Sequence, residues 1–174
     1  SSMWGQNDGI FIAFLLGMTY YLLKRRSIPA MMFFGLALSI KLQAIFVAPA
    51  LAILLLLGEL PFLTLLIPFL VYFVTLLPAW ALGRPLGELL TLYVGQVTSF
   101  EQLTLNAPTA YALINPSVFY LFKVAGVILA LALLMIGIWA IYRMHPRLDE
   151  RLLLHLLTSS ALLSVYLLPM MHER

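Results

Sequence analysis

The chain has 174 residues, 63% of them hydrophobic and only 10% charged, with a net charge of +3 and no cysteine. Soluble domains run at about 45–50% apolar and about 25% charged, which excludes a soluble globular enzyme; zero cysteines exclude disulfides and thiol-ligated metals. The apolar runs are long and leucine-rich and lack the alternation of a barrel strand, and in lipid that leaves helices. The expected fold class is therefore all-α, a polytopic membrane helix bundle.

The chain opens on a polar and aromatic cluster, Trp4-Gly5-Gln6-Asn7-Asp8, set against the apolar run Ile10 to Leu23. One group, Asn7 or Asp8, suffices to cap that helix, so Trp4 and Gln6 are surplus to folding. The helix would cover roughly 21–23 Å, short of the ~30 Å hydrocarbon core. Lys24-Arg25-Arg26 at its end mark the inner side by the positive-inside rule, placing Trp4 to Asp8 outside.

Pro29 to Leu57 is apolar except for Lys41 and Gln43 near its middle. A single helix would run roughly 43 Å and would hold an ammonium at mid-membrane, costing about 2.5–3.5 kcal/mol. It would also leave Arg143, Arg147 and Arg151 outside. Two short helices meeting at Lys41-Leu42-Gln43 satisfy both length and charge. Gly58-Glu59-Leu60-Pro61 is then an inner turn. Phe62 to Leu82 crosses outward, with Pro68 and Pro78 inside it.

Gly83 to Pro116 is too mixed to span. It reads as an interfacial helix, with Leu86, Leu89, Leu90, Tyr93 and Val94 at helical spacing, followed by an extended stretch. Asn106-Ala107-Pro108 and Asn115-Pro116 are loop signals, because the residue before proline leaves the helical region. Val118 to Tyr142 returns inward with Lys123 near its outer end. Arg143 to Arg151 is a second inner loop, and Leu152 to Met171 leads outward to His172-Glu173-Arg174. His155 reads as a satisfied bundle residue. Both ends of the chain look like cuts, so residues 1–174 are expected to be one bundle from a longer protein, lacking N-terminal spans and a first outer loop.

Four polar clusters then share the outer side: Trp4 to Asp8, Lys41 with Gln43, Asn106, and His172 to Arg174. Short helices that stop below the surface leave a water-filled cavity there. Lys41 and Gln43 stand at the N-terminus of the returning half-helix, whose free N–H groups favour an anion, and the added ammonium points to a phosphate. No metal-ligand spacing, glycine-rich phosphate loop or nucleophile triad is present. A broken helix with a charge at the break also builds transporter sites, so a secondary transporter or lipid flippase is the alternative.

Trp4-Gly5-Gln6-Asn7-Asp8, Lys41-Leu42-Gln43, Leu105-Asn106-Ala107 and Met171-His172-Glu173-Arg174 together resemble motifs of GT-C membrane glycosyltransferases. Their order is similar to that in bacterial mannosyltransferase-like proteins related to GPI mannosyltransferase II. The resemblance implies transfer of a hexose, mannose by analogy, from a polyprenyl-phosphate donor to an acceptor hydroxyl on a glycan, lipid or protein, with inversion. It implies an integral multi-pass protein, of the plasma membrane in a bacterium. It also puts the usual catalytic carboxylate in a first outer loop outside this sequence, so residues 1–174 alone are expected to be inactive. Within them Asp8 is the acid/base candidate. Lys41, Gln43 and Arg174 are expected to hold the donor phosphate, and Trp4, Gln6, Asn106, His172 and Glu173 the sugar or acceptor. No organic cofactor is implied; a divalent metal is compatible with the chemistry. One departure stands out: Pro108, Thr109 and Ala110 occupy positions where the motif commonly carries an Asn and an aromatic.

Overall fold

A computed structural model describes residues 8–91, 104–105, 119–144, 146–168 and 171–172. Regular structure among them is helical apart from one two-residue parallel strand pairing, as composition requires. The helices are α1 (Asp8–Leu23), α2 (Ser27–Ile40), a 3-10 segment (Leu42–Val47) running into α3 (Ala48–Leu56), a 3-10 turn (Phe62–Leu65) running into α4 (Leu66–Ala81), α5 (described over 86–91), α6 (Phe119–Met144) and α7 (Glu150–Leu167). Strands β1 (Thr104–Leu105) and β2 (Met171–His172) complete the described elements.

Two helices are long and apolar enough to cross a membrane, Phe62–Ala81 and Val124–Met144, and in each only 11% of the apolar window is buried. A core helix of a soluble protein would be mostly buried. Here Phe62, Phe69, Leu70, Val124, Ile128 and Met135 are exposed instead, a disposition suited to an apolar surrounding. The fold class is thus all-α with membrane-type helices, as expected.

The chain divides into two compact units: Ser1–Ile45 with Leu54–Leu92, and Phe46–Ile53 with Tyr93–Arg174. In the first, α1 and α2 form a hairpin. Phe33 of α2 lies stacked on Tyr21 (5.5 Å between centroids) and tilted against Phe14 (6.1 Å). On its other side α2 meets α4 so closely that a Cβ on Gly35 would lie 2.9 Å from Pro68 Cα and 2.8 Å from Val71 Cβ. A hydrogen in place of a side chain lets the two backbones touch, as membrane helix interfaces favour. One turn further on, Thr75 donates to Ser39 Oγ (2.9 Å), which donates to the Gly35 carbonyl (2.8 Å). Contacts therefore advance together, from Gly35 with Pro68 to Ser39 with Thr75, and the two helices run parallel. Between two parallel neighbours the chain must come back, so the run from Pro29 to Leu57 is a broken pair and not one helix.

The turns after α1 and after α3 close in the same way. At the end of α1 the Arg26 N–H donates to the Tyr21 carbonyl (2.9 Å) and Arg25 N–H to Leu22 (3.0 Å). At the end of α3 Glu59 N–H donates to Leu54 (2.9 Å) and Gly58 N–H to Leu55 (3.0 Å). This double closure requires a left-handed residue. Gly58 supplies it at φ 76°, whereas the first turn uses Arg25 at φ 56°, a conformation that costs a side-chain-bearing residue roughly 1–2 kcal/mol. Arg25 forms an ion pair with Glu59, so the strained residue joins the two turns and fixes them on one side.

In the second unit α7 buries one stripe: Leu153, Leu156, Leu157, Ser160 and Ser164. Asp149 caps the helix by accepting from Leu152 N–H (2.7 Å), three residues before the apolar run begins. His155, expected as a satisfied bundle residue, lies on the exposed face of α7. The serines meet the 46–50 segment. Pro49 stands in the first turn of α3, and there the Phe46 carbonyl and the Ala50 N–H make no direct helical bond. Ser160 Oγ stands between them, accepting from Ala50 N–H (3.3 Å) and donating to the Phe46 carbonyl (2.8 Å). Ser164 Oγ donates to the same carbonyl (3.2 Å).

Candidate functional site

The break between α2 and α3 carries the candidate site. Apolar α2 ends at Ile40, and Lys41 leaves the helix in an extended conformation (φ −144°, ψ 131°). Its N–H still reaches the Ala37 carbonyl (3.0 Å), while its carbonyl accepts from Ala44 N–H (3.1 Å). The returning half opens as the six-residue 3-10 segment, and α3 proper begins only at Ala48. The expected α-helical N-terminus at Lys41 and Gln43 is therefore replaced by a 3-10 start, which leaves the Lys41 ammonium as the anion-attracting group of the break.

The hairpin brings the start of α1 to the end of α2, where the Lys41 ammonium forms an ion pair with the Asp8 carboxylate. Two candidates thirty-three positions apart are thus in contact. Lys41 and Asp8 keep 34% and 44% of their side chains exposed, so both remain reachable by a ligand. An exposed pair contributes only about 0.2–1 kcal/mol. Gln43 is exposed and, among the described residues, its side chain has no hydrogen-bond partner. Together these residues offer a cation that an incoming phosphate can take over, a carboxylate that such an exchange would release, and a free amide.

In the second unit β1 and β2 pair in parallel, with Thr104 opposite Met171 and Leu105 opposite His172. The openings of the Leu105-Asn106-Ala107 and Met171-to-Arg174 motifs are therefore side by side. Trp4, Gln6, Asn106, Glu173 and Arg174 lie outside the described residues, as does the His172 side chain. No group of three His, Cys, Asp or Glu able to hold a metal ion occurs among the described residues. Sequence reasoning passed over Ser160 and Ser164; their four-residue spacing on a leucine-rich helix was the available signal.

Apolar helices suited to a membrane and a charged, part-exposed break between α2 and α3 are together the marks of a membrane-associated helical protein. The model of glycosyltransferase family 87 matches residues 2–169, and the chain belongs to that family. Neither a curated protein nor a solved structure matches it. Membership establishes a glycosyltransferase, with a sugar donor and an acceptor as substrates.

Proposed function

We propose that the chain carries the donor-phosphate part of a GT-C-type transferase, which moves a hexose, mannose by resemblance, from a polyprenyl-phosphate carrier to an acceptor hydroxyl on the outer face. The observation that carries this reading is the Lys41–Asp8 pair at the break. Inverting transfer needs the acceptor oxygen to attack the anomeric carbon as the bond from that carbon to the phosphate oxygen breaks. The leaving polyprenyl phosphate gathers negative charge, and the acceptor gives up a proton. Lys41, relieved of Asp8 by the phosphate, meets that charge with a preorganised ammonium; Gln43 is placed to donate a neutral hydrogen bond beside it. The freed Asp8 carboxylate is then able to bind a sugar hydroxyl or receive the acceptor proton. Trp4 and Gln6, adjoining Asp8 in sequence, are assigned to the sugar. Asn106, His172 and Glu173, from the motifs that open side by side, are assigned to the acceptor.

The test is sugar transfer in membranes by the intact enzyme, with radiolabelled polyprenyl-phosphate hexoses. Lys41→Ala is expected to lower turnover about 100-fold, the scale of removing one transition-state charge donor, with Lys41→Arg recovering part of it. Unchanged turnover and donor affinity in Lys41→Ala would sink the assignment. The transporter reading has no observation of its own to favour it over a member of a transferase family.

A further inference from the structure

We infer that the tip of the α1–α2 hairpin is a headgroup site for an anionic glycerophospholipid. Tyr20, Tyr21, Lys24 and Arg26 line an open hollow of about 290 Å³. It lies at the opposite end of α1 from Asp8, so the phosphate proposed at Lys41 is not its occupant. The tip carries three consecutive cations, and Arg25 is spent on Glu59. The Lys24 ammonium is held over the Tyr20 ring, 5.9 Å from its centroid. Among the described residues, the Arg26 guanidinium and the hydroxyls of Tyr20 and Tyr21 have no partner. Two uncompensated cations and two unspent phenol donors around one hollow suit a phosphodiester: Arg26 offers a two-pronged donor, Lys24 a point charge, and the phenols neutral hydrogen bonds.

Depth and rim select a lipid over free phosphate. The 16 residues of α1 make about 24 Å against a hydrocarbon core of ~30 Å, so mismatch draws the tip to the level of the lipid phosphates. Leu16, one turn before Tyr20 on α1, and Ile28, two residues after Arg26, stand 64% and 60% exposed, apolar surface for an acyl chain that inorganic phosphate would not use. Basic clusters on the inner side attract anionic lipid in general. The second basic stretch, however, sets Asp149 and Glu150 against Arg143, Arg147 and Arg151, so most of its charge is offset within the stretch.

The experiment titrates the purified chain in neutral detergent with phosphatidylglycerol, phosphatidylcholine or inorganic phosphate, reading bound lipid by native mass spectrometry and stability by thermal unfolding. Phosphatidylglycerol should bind and raise the Tm, and phosphatidylcholine should not. Each cation near a surface contributes about a fivefold change in affinity, so Lys24→Gln with Arg26→Gln should weaken phosphatidylglycerol roughly 25-fold. Arg147→Gln with Arg151→Gln, an equal loss of charge, should change it less than about twofold. Tyr20→Phe with Tyr21→Phe keeps the ring packing and should weaken binding by itself, which preserves the test if the cation variant misfolds. Equal binding of both lipids, equal losses in the two arginine-containing double variants, or an effect reproduced by inorganic phosphate alone would each overturn the proposal.

Discussion

At the scale of single residues, the pairing of Lys41 with Asp8 sets a ground state that a donor has to disturb. The pair is too exposed to matter much for folding, so large losses of activity on mutating either partner belong to chemistry or binding. Asp8→Asn separates the two roles proposed for the carboxylate. It removes a competitor for the ammonium contributing up to about 1 kcal/mol, so the KM for donor should fall by up to about fivefold. Turnover should fall as well, because the freed carboxylate is gone. Steady-state kinetics with a lipid-linked donor reads both. Unchanged kcat and KM would make the pair purely structural. Lys41 and Asp8 were each legible in sequence, one as a costly charge inside an apolar run and the other within an over-equipped helix start. Their contact was not legible, since it depends on both helices of the hairpin having nearly equal length, 16 and 14 residues.

Among elements, the telling feature is how the broken segment is held. The break itself could be read from the sequence, because an unbroken helix from Pro29 to Leu57 fails on length and on the position of Lys41. Its fine structure could not. A 3-10 start and an α continuation have the same apolar composition, and the difference lies in where Pro49 withholds an N–H and where Ser160 inserts its hydroxyl. Ser160 is 6% exposed, and water cannot take its place freely. Ser160→Ala should therefore leave the Ala50 N–H unsatisfied and cost about 1–3 kcal/mol, read as a lowered Tm of the purified chain. Ser164→Ala should cost less, since the Phe46 carbonyl keeps its bond from Ser160. Equal, negligible effects of both would show that the junction does not depend on the inserted hydroxyl.

At the level of the whole molecule, the positive-inside expectation for which way the chain faces meets one structural fact, the Arg25–Glu59 pair that joins two turns of the first unit. The expected topology needs the 24–26 and 58–61 turns on one side and Lys41 with Gln43 on the other. Parallel packing of α2 and α4 and the ion pair between the two turns give the first half of that arrangement a physical basis. A chain with no cysteine allows each position to be probed by one introduced thiol. Arg25→Cys and Glu59→Cys, placed singly in membrane vesicles, should react with a membrane-impermeant maleimide from the same face. Gln43→Cys, exposed at the break, should react from the opposite face or not at all from theirs. Combined in one chain, the cysteines at 25 and 59 should be joined by a short bifunctional maleimide, since their native side chains touch. If residues 27–57 crossed as one helix, the thiols at 25 and 59 would label from opposite faces and would not cross-link. Labelling of both thiols from one face, with the cross-link formed, is the outcome that a returning chain between Pro29 and Leu57 requires.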